Sequence, residues 1–117
     1  RRNSLPLSKR ARIEIYLPET GKSSYARLHS AFENEFLHTF GGCTVIKGIK
    51  GLYLGSDGKT DFDRISLLYT DTPFDFDEHF AELSDYTDRL QEAALEATDE
   101  ESVLLVVHAI YHSIIGS

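Results

Sequence analysis

The sequence predicts an α+β domain of the ferredoxin-like type: a β-α-β-β-α-β sandwich whose four-stranded antiparallel sheet carries two helices on one face. Two observations lead there. Four stretches carry the alternation or β-branched richness of strands and two carry the three-or-four spacing of helices, in that order along the chain. The length, 117 residues, suits one core and is too short for two. In such a fold the first and third strands are central, and one sheet face is left without helices.

Each element has its own signal. Residues 1–10 are polar, lack periodicity and contain Pro6, so they are expected to form a basic flexible tail ahead of a single domain over 11–117. In ARIEIYLPETG, Ile13, Ile15 and Leu17 alternate with Arg12, Glu14 and Tyr16, and Pro18 and Gly21 end the strand. Tyr25, Leu28, Phe32, Phe36 and Phe40 then recur at helical spacing. Ser23 or Ser24 is placed to cap the start, and Gly41 and Gly42 to supply a left-handed end. CTVIKGIKGLYL is strand-like, but Gly48 and Gly51 point to a bulge or a sheet edge. DFDRISLLYTD is the third strand, with Ile65, Leu67 and Tyr69 on one face and Arg64, Ser66 and Leu68 on the other. The second helix has Phe76, Phe80, Leu83, Leu90 and Ala94 as its apolar stripe, with Asp75 and Glu78 spaced as a capping box. SVLLVVHAIYHSI, rich in β-branched residues, closes the sheet; a helix is the alternative there.

Asp57, Asp61 and Asp63 around Gly58 pose the question of a metal loop. An EF-type calcium loop places oxygens at alternate positions and closes on a glutamate. Here the spacing is four and then two, with no such glutamate. Asp-Gly between two strands instead marks a two-residue hairpin turn with both central residues at positive φ. Asp61 and Asp63 then act as charges that discourage stray strand pairing. His108 and His112 would converge on one ion only on a helix; on a strand they stand about 13 Å apart. No metal and no cofactor is expected.

Composition narrows the function. The formal charge is −7, yet Arg1, Arg2, Lys9, Arg10 and Arg12 fall in the first twelve residues with no acid among them. The rest is strongly acidic and repels phosphate backbones, so nucleic acid is not the partner expected. The third strand also lacks the basic-Gly-aromatic pattern of RNA-recognition domains. No apolar run reaches the ~20 residues of a membrane helix. A lone cysteine, Cys43, excludes an internal disulfide and fits a reducing compartment, so a cytoplasmic location is expected, with secretion after removal of a signal segment as the alternative. Neither a G-x-S-x-G elbow nor a phosphate-binding G-x-x-x-x-G-K-[ST] loop is present. Cys43 follows a helix C-terminus, where the dipole opposes a thiolate.

One grouping remains. If Ile13, Ile15 and Leu17 face the helices, Arg12, Glu14 and Tyr16 face away, and Arg64, Ser66 and His108 are expected to join them on the open sheet face. The reading favoured is a non-enzymatic interaction or accessory module that self-associates through this face as a homodimer. The alternative is a protein or enzyme that binds a small anionic ligand there, with the arginines on the anion and Glu14, Tyr16 or His108 handling a proton. A nucleic-acid-binding or nuclease-like ferredoxin fold, using the basic head, comes third.

ARIEIYLPETG, TVIKGIKGLYLGSDGK and ESVLLVVHAIY together resemble a family of small bacterial domains of unknown function. The shared pattern runs from an Arg-x-Glu strand through T-V-x-x-G and G-x-x-G to a closing E-S-V strand, across most of residues 11–111. The resemblance implies a ferredoxin-like fold and no particular activity, and it draws attention to Arg12 and Glu14. The long acidic second helix and the basic head depart from that pattern.

Overall fold

The computed structural model describes residues 8–98 and 103–112. Its elements are β1 (Ser8–Pro18), α1 (Ser23–Phe40), β2 (Thr44–Leu54), β3 (Thr60–Asp71), α2 (Phe80–Ala97) and β4 (Leu105–His112). All strand pairs are antiparallel and the sheet order is β2-β3-β1-β4. The expected ferredoxin-like order is therefore present, with β1 and β3 central. β2 and β4 are the edges. β1 starts at Ser8, so Lys9 and Arg10 belong to a strand and not to the expected tail; residues 1–7 of that tail lie outside the described residues.

The core lies between the helices and one sheet face. Ala11, Ile13, Ile15 and Leu17 of β1 are fully buried, and Leu28, Phe32 and Phe36 of α1 meet them with Leu83, Leu90 and Ala94 of α2. Each large apolar side chain among them contributes about 1.5–3 kcal/mol by leaving water. Phe40 sets its ring edge-on to Phe74 and to Tyr86, with the Tyr86 centroid 5.6 Å away, joining the end of α1 to α2. The Tyr86 hydroxyl donates to Glu35 Oε2 at 2.6 Å across the helix pair. Burial, then that bond, raise its pKa well above the ordinary phenol value.

The helix ends depart from expectation. α1 has Lys22 at its N-cap with no side-chain cap, so neither Ser23 nor Ser24 fills that role. Its C-terminus follows the expected rule: Gly41 at φ 86° donates its N–H to the Leu37 carbonyl. Asp75 Oδ1 accepts the N–H groups of Asp77 and Glu78, but it caps a turn over 76–79 and the α-helix starts only at Phe80. Because of that late start Phe80 sits at the helix tip, 59% exposed, instead of in the buried stripe. Thr87 takes a stripe position, its hydroxyl satisfied by the Leu83 carbonyl one turn back.

The β2–β3 hairpin is the feature that shapes the molecule. Its register shifts between Ile46 and Ile49, where Gly48 adopts φ 74°, as the glycine pattern implied. β1 pairs with β3 only up to Ile65, so residues 60–64 pair with β2 alone. The hairpin thus runs on as a two-stranded arm for five residues, about 17 Å at ~3.4 Å each. Its tip is not the two-residue turn expected. The Gly55 carbonyl accepts from the Gly58 N–H, only Gly58 has positive φ, and Asp57 Oδ1 accepts from the Lys59 N–H. This is a four-residue turn with a left-handed glycine, which needs one positive φ rather than two. Asp57 works inside the turn; Asp61 and Asp63 stand exposed on the arm.

Candidate functional site on the open sheet face

Residues paired across antiparallel strands share a sheet face. Arg12 lies opposite Asp71 on β3 and His108 on β4; Glu14 lies opposite Tyr69 and Val106; Tyr16 lies opposite Leu67. These side chains therefore stand on the face away from the helices. Ile46 joins them from β2, opposite Leu67, and is 44% exposed. Arg12, Glu14, Tyr16 and His108 are thus together, as the alternation of β1 required.

Arg64 and Ser66 are not with them. Leu17 pairs with Ser66 and Ile15 with Leu68, and both β1 residues are buried against the helices. The register therefore carries Ser66 and Leu68 to the helix side and turns Ile65, Leu67 and Tyr69 outward. Two buried hydroxyls would be costly there without partners. Both have them: Ser66 Oγ donates to Glu19 Oε2 at 3.0 Å and Thr70 Oγ1 to the Gly42 carbonyl at 2.7 Å. Arg64 lies near the same junction, where its charge helps to hold the Glu19 carboxyl below its ordinary range, behind the Gly48 N–H bond and the Ser66 bond.

Arg12, Asp71, Glu14, Tyr16 and His108 on the open face are engaged with one another, while Arg10 on the same face donates to the Pro73 carbonyl at 2.6 Å. Arg12 makes a two-pronged contact with Asp71, at 2.6 and 3.0 Å, while its guanidinium stacks 4.3 Å from the Tyr69 ring centroid. That contact raises the Arg12 pKa further. His108 Nε2 lies 3.0 Å from Glu14 Oε2, and the Tyr16 hydroxyl donates to Glu14 Oε1 at 3.4 Å. Burial, then the Glu14 charge, raise the Tyr16 pKa. Between these pairs the surface is apolar: Ile46 and Ile49, Ile65 and Leu67, Tyr69, Val106 and Ile110 by strand parity. No described helix covers them.

Asp71 and Tyr69, which complete the Arg12 contact, were absent from the sequence-based grouping. Their signal was the parity of β3, legible only once its register against β1 is known. Among the described residues, no three His, Cys, Asp or Glu side chains gather where they could hold one metal ion. His108 and His112 lie on β4, a strand as expected. Cys43 is half-buried, and burial followed by the nearby Glu33 charge pushes its thiol pKa up, away from a reactive thiolate. Among the described residues no helix is long and apolar enough to cross a membrane.

No protein-family model matches the chain, and no curated protein matches it in sequence, so the resemblance to a bacterial domain family has no support there. Solved structures do show a likeness. CPII from Thiomonas intermedia K12, described as bound to ADP and bicarbonate, is 18% identical with a TM-score of 0.48, covering 95% of each chain. CutA1 from Oryza sativa is 21% identical with a TM-score of 0.43, over 93% of this chain and 83% of that one. The divalent cation tolerance protein CutA1 from Thermus thermophilus is 15% identical with a TM-score of 0.43, over 85% and 82%.

Proposed function

We propose that this chain is a non-enzymatic interaction module that self-associates through its open sheet face as a homodimer. The observation behind this reading is the composition of that face. Arg12 with Asp71 and Glu14 with His108 are already paired within one copy, and what remains for a partner is a set of apolar side chains from β2, β3 and β4. Covering such a set removes it from water at roughly 25 cal/mol per Å². A second copy presents the same set, which a two-fold arrangement matches to itself. The Arg12–Asp71 and Glu14–His108 pairs, projecting from the central strand β1, then form a polar ridge between the apolar side chains of β2 and β3 and those of β4.

The alternative, a small anionic ligand on the same face, has less behind it. Arg12 is committed to Asp71 and Tyr69, and Arg64 stands on the other side of the sheet. Sedimentation of two variants separates the readings. Leu67→Glu places a charge among these apolar side chains and is expected to shift the protein to monomer, weakening association by about a hundredfold or more. Leu54→Glu, on the arm and 73% exposed, is the control and is expected to sediment as the unaltered protein. If Leu67→Glu associates as the parent does, the open face is not the interface.

A further inference from the structure

On the helix side of the sheet, a cleft of about 440 Å³ opens between the first turns of α1, the end of β1 and the root of the arm. Glu19, Thr20, His29, Glu33, Lys47 and Ser66 contribute to its lining. Its volume is in the range of small-molecule sites.

Its back wall is held by hydrogen bonds. Glu19 Oε2 accepts from the Gly48 N–H at 2.5 Å and from the Ser66 hydroxyl at 3.0 Å, and Ser66 is fully buried. The Glu19 backbone is fixed as well, its N–H donating to the Arg64 carbonyl at 2.9 Å. One carboxylate oxygen is thereby anchored, while Oε1 makes no hydrogen bond to any described residue. His29 is held by its own contact, Nε2 to the Pro18 carbonyl at 2.9 Å.

Lys47 is the residue before Gly48, yet its ammonium forms no ion pair with Glu19 or with any other described carboxylate. Glu33, one helical turn beyond His29, likewise has no ion-pair partner among the described residues. The cleft therefore holds a fixed anion, already under the influence of Arg64 and His29, and a separate cation, Lys47, that form no ion pair with each other. That arrangement complements a ligand carrying both charges at a short separation.

We propose that this cleft binds a small zwitterion of the α-amino acid class. The ligand's ammonium group donates to Glu19 Oε1, with Glu33 adding negative potential, and its carboxylate meets Lys47. Charge-assisted hydrogen bonds to pre-oriented groups are the strong kind, and Glu19 is oriented before any ligand arrives. This site is separate from the open face and does not depend on that face's role.

The test is a titration of the full chain with each of the twenty common L-amino acids, followed through the backbone amide resonances of Gly48 and Ser66. At least one amino acid is expected to shift both, saturably, with Kd below about 1 mM. Its deaminated and decarboxylated analogues are expected to bind about tenfold more weakly or worse, because each lacks one charge. Lys47→Gln, a change at an exposed position, is expected to cost about tenfold in affinity while the remaining amide spectrum stays that of the parent. Glu19→Gln keeps an acceptor for Gly48 and Ser66 and is expected to cost at least as much. The proposal is overturned if no amino acid shifts these amides, if the single-charge analogues bind equally well, or if Lys47→Gln binds as the parent does.

Discussion

Glu19 shows how much one side chain can organise. Its carboxylate closes the bulge N–H of Gly48 and the buried hydroxyl of Ser66, tying the end of β1 to β2 and β3 at the root of the arm. Glu19→Ala leaves both donors without that acceptor and is expected to cost about 1–3 kcal/mol in denaturant unfolding, with Glu19→Gln costing less. The Gly48 N–H, the Ser66 hydroxyl and then Arg64 place the Glu19 pKa below its ordinary value of 4.5. A carboxyl lowered on folding stabilises the native state above its unfolded pKa, and that contribution fades as pH falls through the folded value. Unfolding midpoints measured from about pH 6 down to about pH 2 should therefore drop more steeply for the parent than for Glu19→Gln. Equal slopes would mean that Glu19 gives no such linkage. None of this was legible in PETG, which reads as the end of a strand. The partners of Glu19 lie 29 and 47 residues away, and only the sheet register brings them in.

At the scale of elements, local pattern was a reliable guide wherever burial was one-sided. β1 alternates cleanly because one face packs on the helices, and α1 places Tyr25, Leu28, Phe32 and Phe36 inward as its spacing required. The failures share a cause. In β3 both faces carry apolar residues, so alternation does not say which face meets the helices; the pairing of Leu68 with Ile15 does. That ambiguity misplaced Arg64 and Ser66 and hid Tyr69 and Asp71. The start of α2 was misjudged because Asp75 caps a turn, and a turn and a helix offer the same free N–H groups to a cap. The bulge was legible because glycine at 48 answers a backbone need. Gly48→Ala has room, its new methyl 3.9 Å from Arg64 Nη1, but the left-handed φ resists a side chain. It is expected to cost about 1–2 kcal/mol in thermal or denaturant unfolding. A neutral result would mean that the bulge relaxes without a left-handed residue.

The sheet has two unlike faces and, among the described residues, two edges, β2 and β4. One face is sealed by α1 and α2, and on the other the apolar side chains of β2, β3 and β4 flank the internally paired charges of β1. β2 and β4 pair with no further strand among the described residues on their outer sides, and the arm adds Leu52, Leu54 and Phe62, all more than half exposed. Among the described residues of a single copy nothing covers this surface. The central claim, that a second copy covers the open face, is tested most directly by the solution mass of the unaltered chain, from size exclusion with light scattering at low and high salt. A mass twice that of the chain at both salt concentrations is expected, since an apolar contact is not screened by ions while exposed charge pairs are. A monomer at both, at concentrations of tens of micromolar or above, would contradict it.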